Sequence, residues 1–133
     1  MLANISCLPL KICDYQTSLK LDQLGFDEIN DYWYDNKENL LKIVNDSPND
    51  LIIAPYIHSA SNWIESKYNI YINYYPTSTY SLNSGIGWYF ELFLIEFAEG
   101  EWIWKELYKS MDFFSSKDNC LEEAIKIIVN NLI

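Results

Sequence analysis

Near the C-terminal end, Leu121, Ala124, Ile125, Ile128, Val129 and Leu132 fall at i, i+3, i+4, i+7, i+8 and i+11. On a helix of 3.6 residues per turn these positions form one continuous apolar stripe. Such a stripe must be packed against another layer, most simply a sheet. Asn119, with Glu122 three residues on, reads as a capping-box start for this helix. Strand-like sequence supplies the layer. Tyr68 to Tyr75 alternates, with Ile70, Ile72 and Tyr74 on one side and Tyr71, Asn73 and Tyr75 on the other. Trp88 to Phe97 is nearly continuous in apolar residues and is expected to be a central strand buried on both faces.

The elements between and before these are shorter. Asp14 to Phe26 reads as a first helix, with Asp14 or Thr17 as cap and Leu21 and Leu24 on its apolar side. Gly25 suits the left-handed position that ends a helix, and Phe26 can fold back onto the last turn. Asp31 to Asp35, a turn at Asp35-Asn36-Lys37, and Leu40 to Val44 suggest a hairpin, although Leu40 to Val44 also fits a helical turn. Asn45 to Asp50 is a loop. Pro55 suits a first helical turn, and Ile57, Ala60, Ser61 and Ile64, with Trp63 at the edge, predict a helix over Tyr56 to Lys67. Pro76 to Gly87 is a turn-rich connection, and Glu99-Gly100 a tight turn. Glu101 to Phe114 is ambiguous. Trp104, Leu107, Tyr108 and Met111 fit a helix, and Trp102-Ile103-Trp104 fits a strand. Strands joined by turns, with helices grouped elsewhere, predict one α+β domain over residues 1–133. Its expected architecture is a mostly antiparallel sheet of about three to five strands with helices, the C-terminal one included, on one face.

Composition narrows the function. The 133 residues contain nineteen acids and nine basic residues, all lysine, for a net charge of −10. Without arginine the chain lacks the planar fork that grips phosphate and carboxylate in two-pronged fashion. The charge repels nucleic acid and anionic membranes and favours a basic protein partner. No basic-then-apolar leader opens the sequence and no run reaches about 18 apolar residues, so neither a signal peptide nor a membrane span is expected. Cys7, Cys13 and Cys120 are odd in number and fit reduced thiols in a cytoplasm. With His58 they lack the close paired spacing of a zinc site, so no metal and no cofactor is expected.

Several groups of residues invite a functional reading beside a plainer one. His58 is the single histidine, near Ser59 and Ser61, but no nucleophile elbow or orienting acid stands at a recognisable spacing. Ser84-Gly85-Ile86-Gly87 resembles a phosphate loop only in its glycines, and a hairpin turn accounts for it better. Trp102 and Trp104 fit a ligand-stacking platform, or, more simply, the core. Glu91 and Glu96 lie five apart in a strand and so face opposite sides, which argues against a carboxylate pair. The strongest candidate surrounds the Tyr32-Trp33-Tyr34 run: Asp27, Glu28, Asp31 and Asp35 would ring these three aromatic anchors with negative charge. The plainer alternative there is a solvated acidic surface.

Leu24-Gly25-Phe26-Asp27-Glu28, Ile53-Ala54-Pro55, Trp63 to Ile70 and Leu121-Glu122-Glu123-Ala124-Ile125 occur in that order. In this succession the chain resembles a family of small uncharacterised phage, prophage and mobile-element proteins of Bacteroides-type bacteria. Tyr56, the Ser61-Asn62 region, Ser66 and Tyr68 depart from the family's pattern. The resemblance implies a compact α+β domain of phage or mobile-element origin, and brings no catalytic residue with it.

Two functional classes follow. The first is a small acidic, non-enzymatic protein-binding module, concretely an inhibitor of a host defence or nucleic-acid-handling protein. The second is a small hydrolase or metal-dependent enzyme built on His58 and nearby acids. A flat acidic face with exposed Trp33 and Tyr34 would favour the first, and a pocket holding His58 with two carboxylates the second. Homodimerisation through excess aromatic surface suits both.

Overall fold

The fold, seen in a computed structural model, is described for Leu2 and for residues 10–46, 48–77 and 87–133. The chain is α+β. In order, it forms α1 (Tyr15–Gln23), β1 (Tyr32–Tyr34), β2 (Leu40–Lys42), β3 (Ile52–Ile53), α2 (Ile57–Tyr68), β4 (Ile70–Thr77), β5 (Gly87–Ala98), β6 (Glu101–Lys109) and α3 (Lys117–Ile127). The last turn of α3 widens into a π-helix, Ile128–Leu132. Among the described residues the strands divide into two antiparallel sheets rather than one, in the orders β2-β1-β3 and β4-β5-β6. No helix among these residues is long and apolar enough to cross a membrane.

Local sequence explains most element ends. The Asp14 carboxylate accepts the Thr17 backbone N–H at 2.8 Å and starts α1. Gly25 at φ 96° ends it: the Gly25 N–H donates to Asp22 O and the Phe26 N–H to Leu21 O, the two bonds of a Schellman turn. The α1 face differs from expectation in burying Thr17 and Ser18 beside Leu21. Ser18 is satisfied there because its hydroxyl donates to Asp14 O at 2.7 Å. Pro55 stands just before the N-cap of α2, Tyr56, rather than inside its first turn. Asn69, at φ 57°, closes α2 in the left-handed conformation that Asn tolerates, and β4 starts at the next residue. The cap of α3 is Ser116, three residues before the expected Asn119. Ser116 Oγ accepts the Asn119 backbone N–H at 3.1 Å, which leaves the Asn119 side chain to accept from Lys11 at 2.6 Å.

The α3 stripe lies where its periodicity predicts. Leu121, Ala124, Ile125, Ile128 and Val129 are buried against α2 and the inner face of β4 and β5. That inner face consists of Ile70, Phe90 and Leu92, with Ile72, Tyr74 and Leu94 packed beside them. Trp63 belongs to this core rather than its edge, meeting Phe26 edge-on at 5.4 Å. Pro76 is accommodated because β4 is an edge strand, where a missing N–H breaks no ladder bond. The remainder of the connection before Gly87, including Ser84-Gly85-Ile86, lies outside the described residues.

The ambiguous stretch resolves as β6. Glu99 (φ 53°) and Gly100 (φ 83°) both take positive φ, the mark of a two-residue type I′ turn, and the turn sends the chain straight back along β5. The helical spacing of Trp104 to Met111 loses to this turn and to the β-preference of Trp102-Ile103-Trp104. β5 is central, as expected, but among the described residues helices cover only one of its faces.

Candidate functional site: an open aromatic sheet face

In β4-β5-β6 the pleat sends even-numbered β5 side chains toward the helices and odd-numbered ones away. On the outer side β5 carries Tyr89, Glu91, Phe93, Ile95 and Phe97. Register adds Tyr71, Asn73 and Tyr75 from β4 and Trp102, Trp104, Glu106 and Lys109 from β6. The rings contact one another along the face. Phe97 lies 5.2 Å from Trp102, Trp104 lies 5.7 Å from Phe93 and 6.3 Å from Tyr71, and Tyr75 lies 5.2 Å from Tyr89. Phe113 meets Tyr89 edge-on at 6.2 Å, and Lys109 Nζ stands 5.7 Å from the same ring. Phe97, Trp102 and Trp104 are 61%, 67% and 56% exposed. Exposed aromatic surface of this extent makes the face the candidate site.

The face is most exposed at one end. β4 pairs with β5 only as far as Ile70 opposite Leu94. Ile95 to Ala98 and Glu101 to Trp104 therefore continue as a two-stranded ribbon. No helix among the described residues protects the ribbon's other side, where Ile103 is 45% exposed. A bulge at Leu92/Phe93 in the β5–β6 register, which leaves Leu107 without an opposite residue, separates the ribbon from the rest of β6.

The residues expected to form the site are distributed differently. Tyr32, Trp33 and Tyr34 are only 7%, 4% and 7% exposed, so they cannot serve as surface anchors. β1 is the central strand of its sheet, between β2 and β3, and both its faces are covered. Tyr34 turns its hydroxyl inward to donate to Cys13 O at 2.8 Å, and burial pushes its pKa up to about 12. Tyr32 packs edge-on against Tyr56, and the buried Trp33 Nε1 has no partner among the described residues. Asp27, Glu28 and Asp31 are exposed around them. Asp35 is engaged within its own turn. Its carboxylate accepts the Asn39 and Lys37 backbone N–H groups at 2.9 and 2.8 Å, and the Asn39 bond foremost holds its pKa below the ordinary value.

The catalytic candidates remain scattered. His58 is exposed, and its Nε2 lies 3.6 Å from Asp118 Oδ1. The thiols of Cys13 and Cys120 are buried and unpaired. Burial raises both pKa values, that of Cys120 to about 11, which disfavours the thiolate a nucleophile needs. Cys7 lies outside the described residues. Glu91 and Glu96 do face opposite sides of the sheet, since their β6 partners are Lys109 and Ile103. Among the described residues no three His, Cys, Asp or Glu side chains are grouped as metal ligands. A depression of about 90 Å³ between β5, the end of β6 and α3 is lined by Ser110, Asp112 and Glu123 among others. It is well below the size of an organic-ligand pocket.

Trp102 and Trp104 are thus exposed rather than core, and Phe97 is exposed beside them. One signal for this was present in the sequence. The α2 and α3 stripes each have a single apolar side, so a sheet this aromatic exceeds what they can cover.

No family model, curated protein or solved structure matches the chain.

Proposed function

We propose that the chain is a small, non-enzymatic protein-binding module whose contact surface is the outer face of β4-β5-β6. The observation that carries this reading is the exposure of Phe97, Trp102 and Trp104 together on one hydrogen-bonded pair of strands. Aromatic side chains held on strands supply large contact area at low ordering cost, as binding hot spots require. Glu91, Glu106, Glu99 and Glu101 on and around the face, within a chain of net charge −10, favour a partner with a basic surface. The unpaired, buried thiols of Cys13 and Cys120 suit a reducing cytoplasm. An inhibitor of a host defence or nucleic-acid-handling protein, encoded by a phage or mobile element, is the concrete version that the charge and the family resemblance support.

Affinity capture from lysate of the source cells tests the reading, with wild type, Trp102→Ser/Trp104→Ser, and a Lys replacement of Asp27, Glu28 and Asp31 as baits. The expected result is one partner held at low salt, lost at high salt, and absent from the tryptophan variant. Capture that survives the tryptophan changes but fails with the charge reversal would return the site to the acidic loop. No capture by any bait would overturn the binding module.

A further inference from the structure

We infer that the free edge of β6 is a self-recognition site, on which a second copy of this chain pairs antiparallel about Ile103. The backbone is ready for it. The Ile95 N–H donates toward β4, to Asn69 O, and Phe90 O accepts toward β6, from the Ser110 N–H. Odd β5 residues therefore bond to β4 and even ones to β6. Ala98, Glu96 and Leu94 accordingly bond with Glu101, Ile103 and Lys105, which lie opposite them. By the same alternation, the N–H and C=O of Trp102 and Trp104 point outward along an edge that no strand among the described residues covers.

The side chains select the occupant. Two strands joined edge to edge by a two-fold axis pair residues of the same face, so one residue lies opposite its own copy. With Ile103 on the axis, Trp102 meets Trp104 of the other copy and Glu101 meets Lys105, each pair formed twice. The run Glu101-Trp102-Ile103-Trp104-Lys105 is thus complementary to itself, with apolar residues at the centre and opposite charges at the ends. Moving the axis to Lys105 would place like charges opposite each other, and moving it to Trp104 would leave Glu101 facing Leu107. All five residues are exposed. The matched segment ends before the bulge at Leu107, where the edge twists away.

The pairing would join two sheets into one of six strands, with both outer aromatic faces on the same side. This goes beyond the partner-binding reading and does not depend on it: Trp102 and Trp104 take part in both, but self-pairing rests on the backbone edge and on Glu101 and Lys105, and partner binding on the aromatic face.

Charge exchange within the run provides the test, read as molecular mass by sedimentation velocity across a concentration series at physiological ionic strength. Wild type is expected to dimerise. Glu101→Lys and Lys105→Glu each place like charges opposite one another twice, and should weaken the dimer on the order of tenfold or more. The double exchange Glu101→Lys/Lys105→Glu restores both pairs and should restore the dimer. An equimolar mixture of the two single variants should form a heterodimer. Both positions are exposed, and circular dichroism of each variant confirms that the fold is retained. A wild type that remains monomeric at the highest concentration overturns the inference, as does a dimer indifferent to all three exchanges. A monomer that still captures a partner would overturn self-pairing alone, and a dimer that captures nothing would overturn the partner-binding reading alone.

Discussion

The chain contains two similar aromatic runs, Tyr32-Trp33-Tyr34 and Trp102-Ile103-Trp104, and the fold treats them in opposite ways. The first is a central strand, flanked on both edges and covered on both faces, with a tyrosine hydroxyl bonded inward. The second lies on an edge strand that runs past the end of β4 and past the helices. Residue type is nearly the same in the two; neighbours decide the difference. A run of aromatics is therefore core or contact surface according to its strand's place in the sheet, and the place follows from turns and helix stripes elsewhere in the chain.

The sharpest test compares truncations in the covered and open parts. Ile125→Ala or Ile128→Ala removes a fully buried side chain beneath the sheet and should cost about 2–5 kcal/mol in denaturant unfolding. Trp102→Ala and Trp104→Ala remove larger but exposed side chains and should each cost under about 1 kcal/mol. Equal losses in the two sets would break the comparison, because the ribbon would then carry core packing. Tyr34→Phe sharpens it from the buried side. Loss of its bond to Cys13 O should cost about 1 kcal/mol, while Tyr89→Phe on the open face should be near neutral.

A smaller effect lies next to the Tyr34–Cys13 bond, at the start of α1. The Asp14 side chain caps α1 and reaches Lys126 at 3.3 Å. Burial of this carboxyl raises its pKa, but the Thr17 bonds and Lys126 outweigh burial and hold it below 3.8. A depressed carboxylate stabilises the fold above its unfolded value and loses that contribution as pH falls through the folded one. Asp14→Ala should therefore cost about 1 kcal/mol at neutral pH, most of it from the cap, since the partly exposed ion pair is screened. Thermal melts should show this gap narrowing below pH 3.8.

Much of this arrangement was legible in the sequence. The α3 stripe, the Gly25 stop, the alternation of β4 and the turn at Glu99-Gly100 all depend on local spacing or on a backbone conformation that few residues take, whereas Leu40 to Val44 was open between strand and helical turn. Which aromatic run would be open was not legible. Acids beside Tyr32-Trp33-Tyr34 suggested a surface, but they are the exposed loops around a buried strand. Trp102 and Trp104 suggested core because tryptophan is usually covered, yet both stand on the sheet face turned away from α2 and α3. Which face of a sheet the helices cover is a tertiary quantity that no short window encodes. The division into two sheets is of the same kind, since it depends on which strands meet and not on how each is patterned.

The smallest expected change concerns the turn that projects the open run. Glu99 holds φ 53°, a conformation in which an ordinary side chain crowds its own backbone, and Asn is favoured there in type I′ turns. Glu99→Asn should raise stability by about 0.5 kcal/mol, and Gly100→Ala, at φ 83°, should lower it by about 1 kcal/mol. The sign pair is informative because neither residue touches the core. If the ribbon folds as part of the sheet, both substitutions move the global unfolding midpoint in these directions. If it opens independently of the helix-covered half, the midpoint stays fixed and only amide exchange of Phe97 to Trp104 changes. The latter result would separate the two aromatic runs in dynamics as well as in exposure, and would favour a contact surface that is ordered by what it binds.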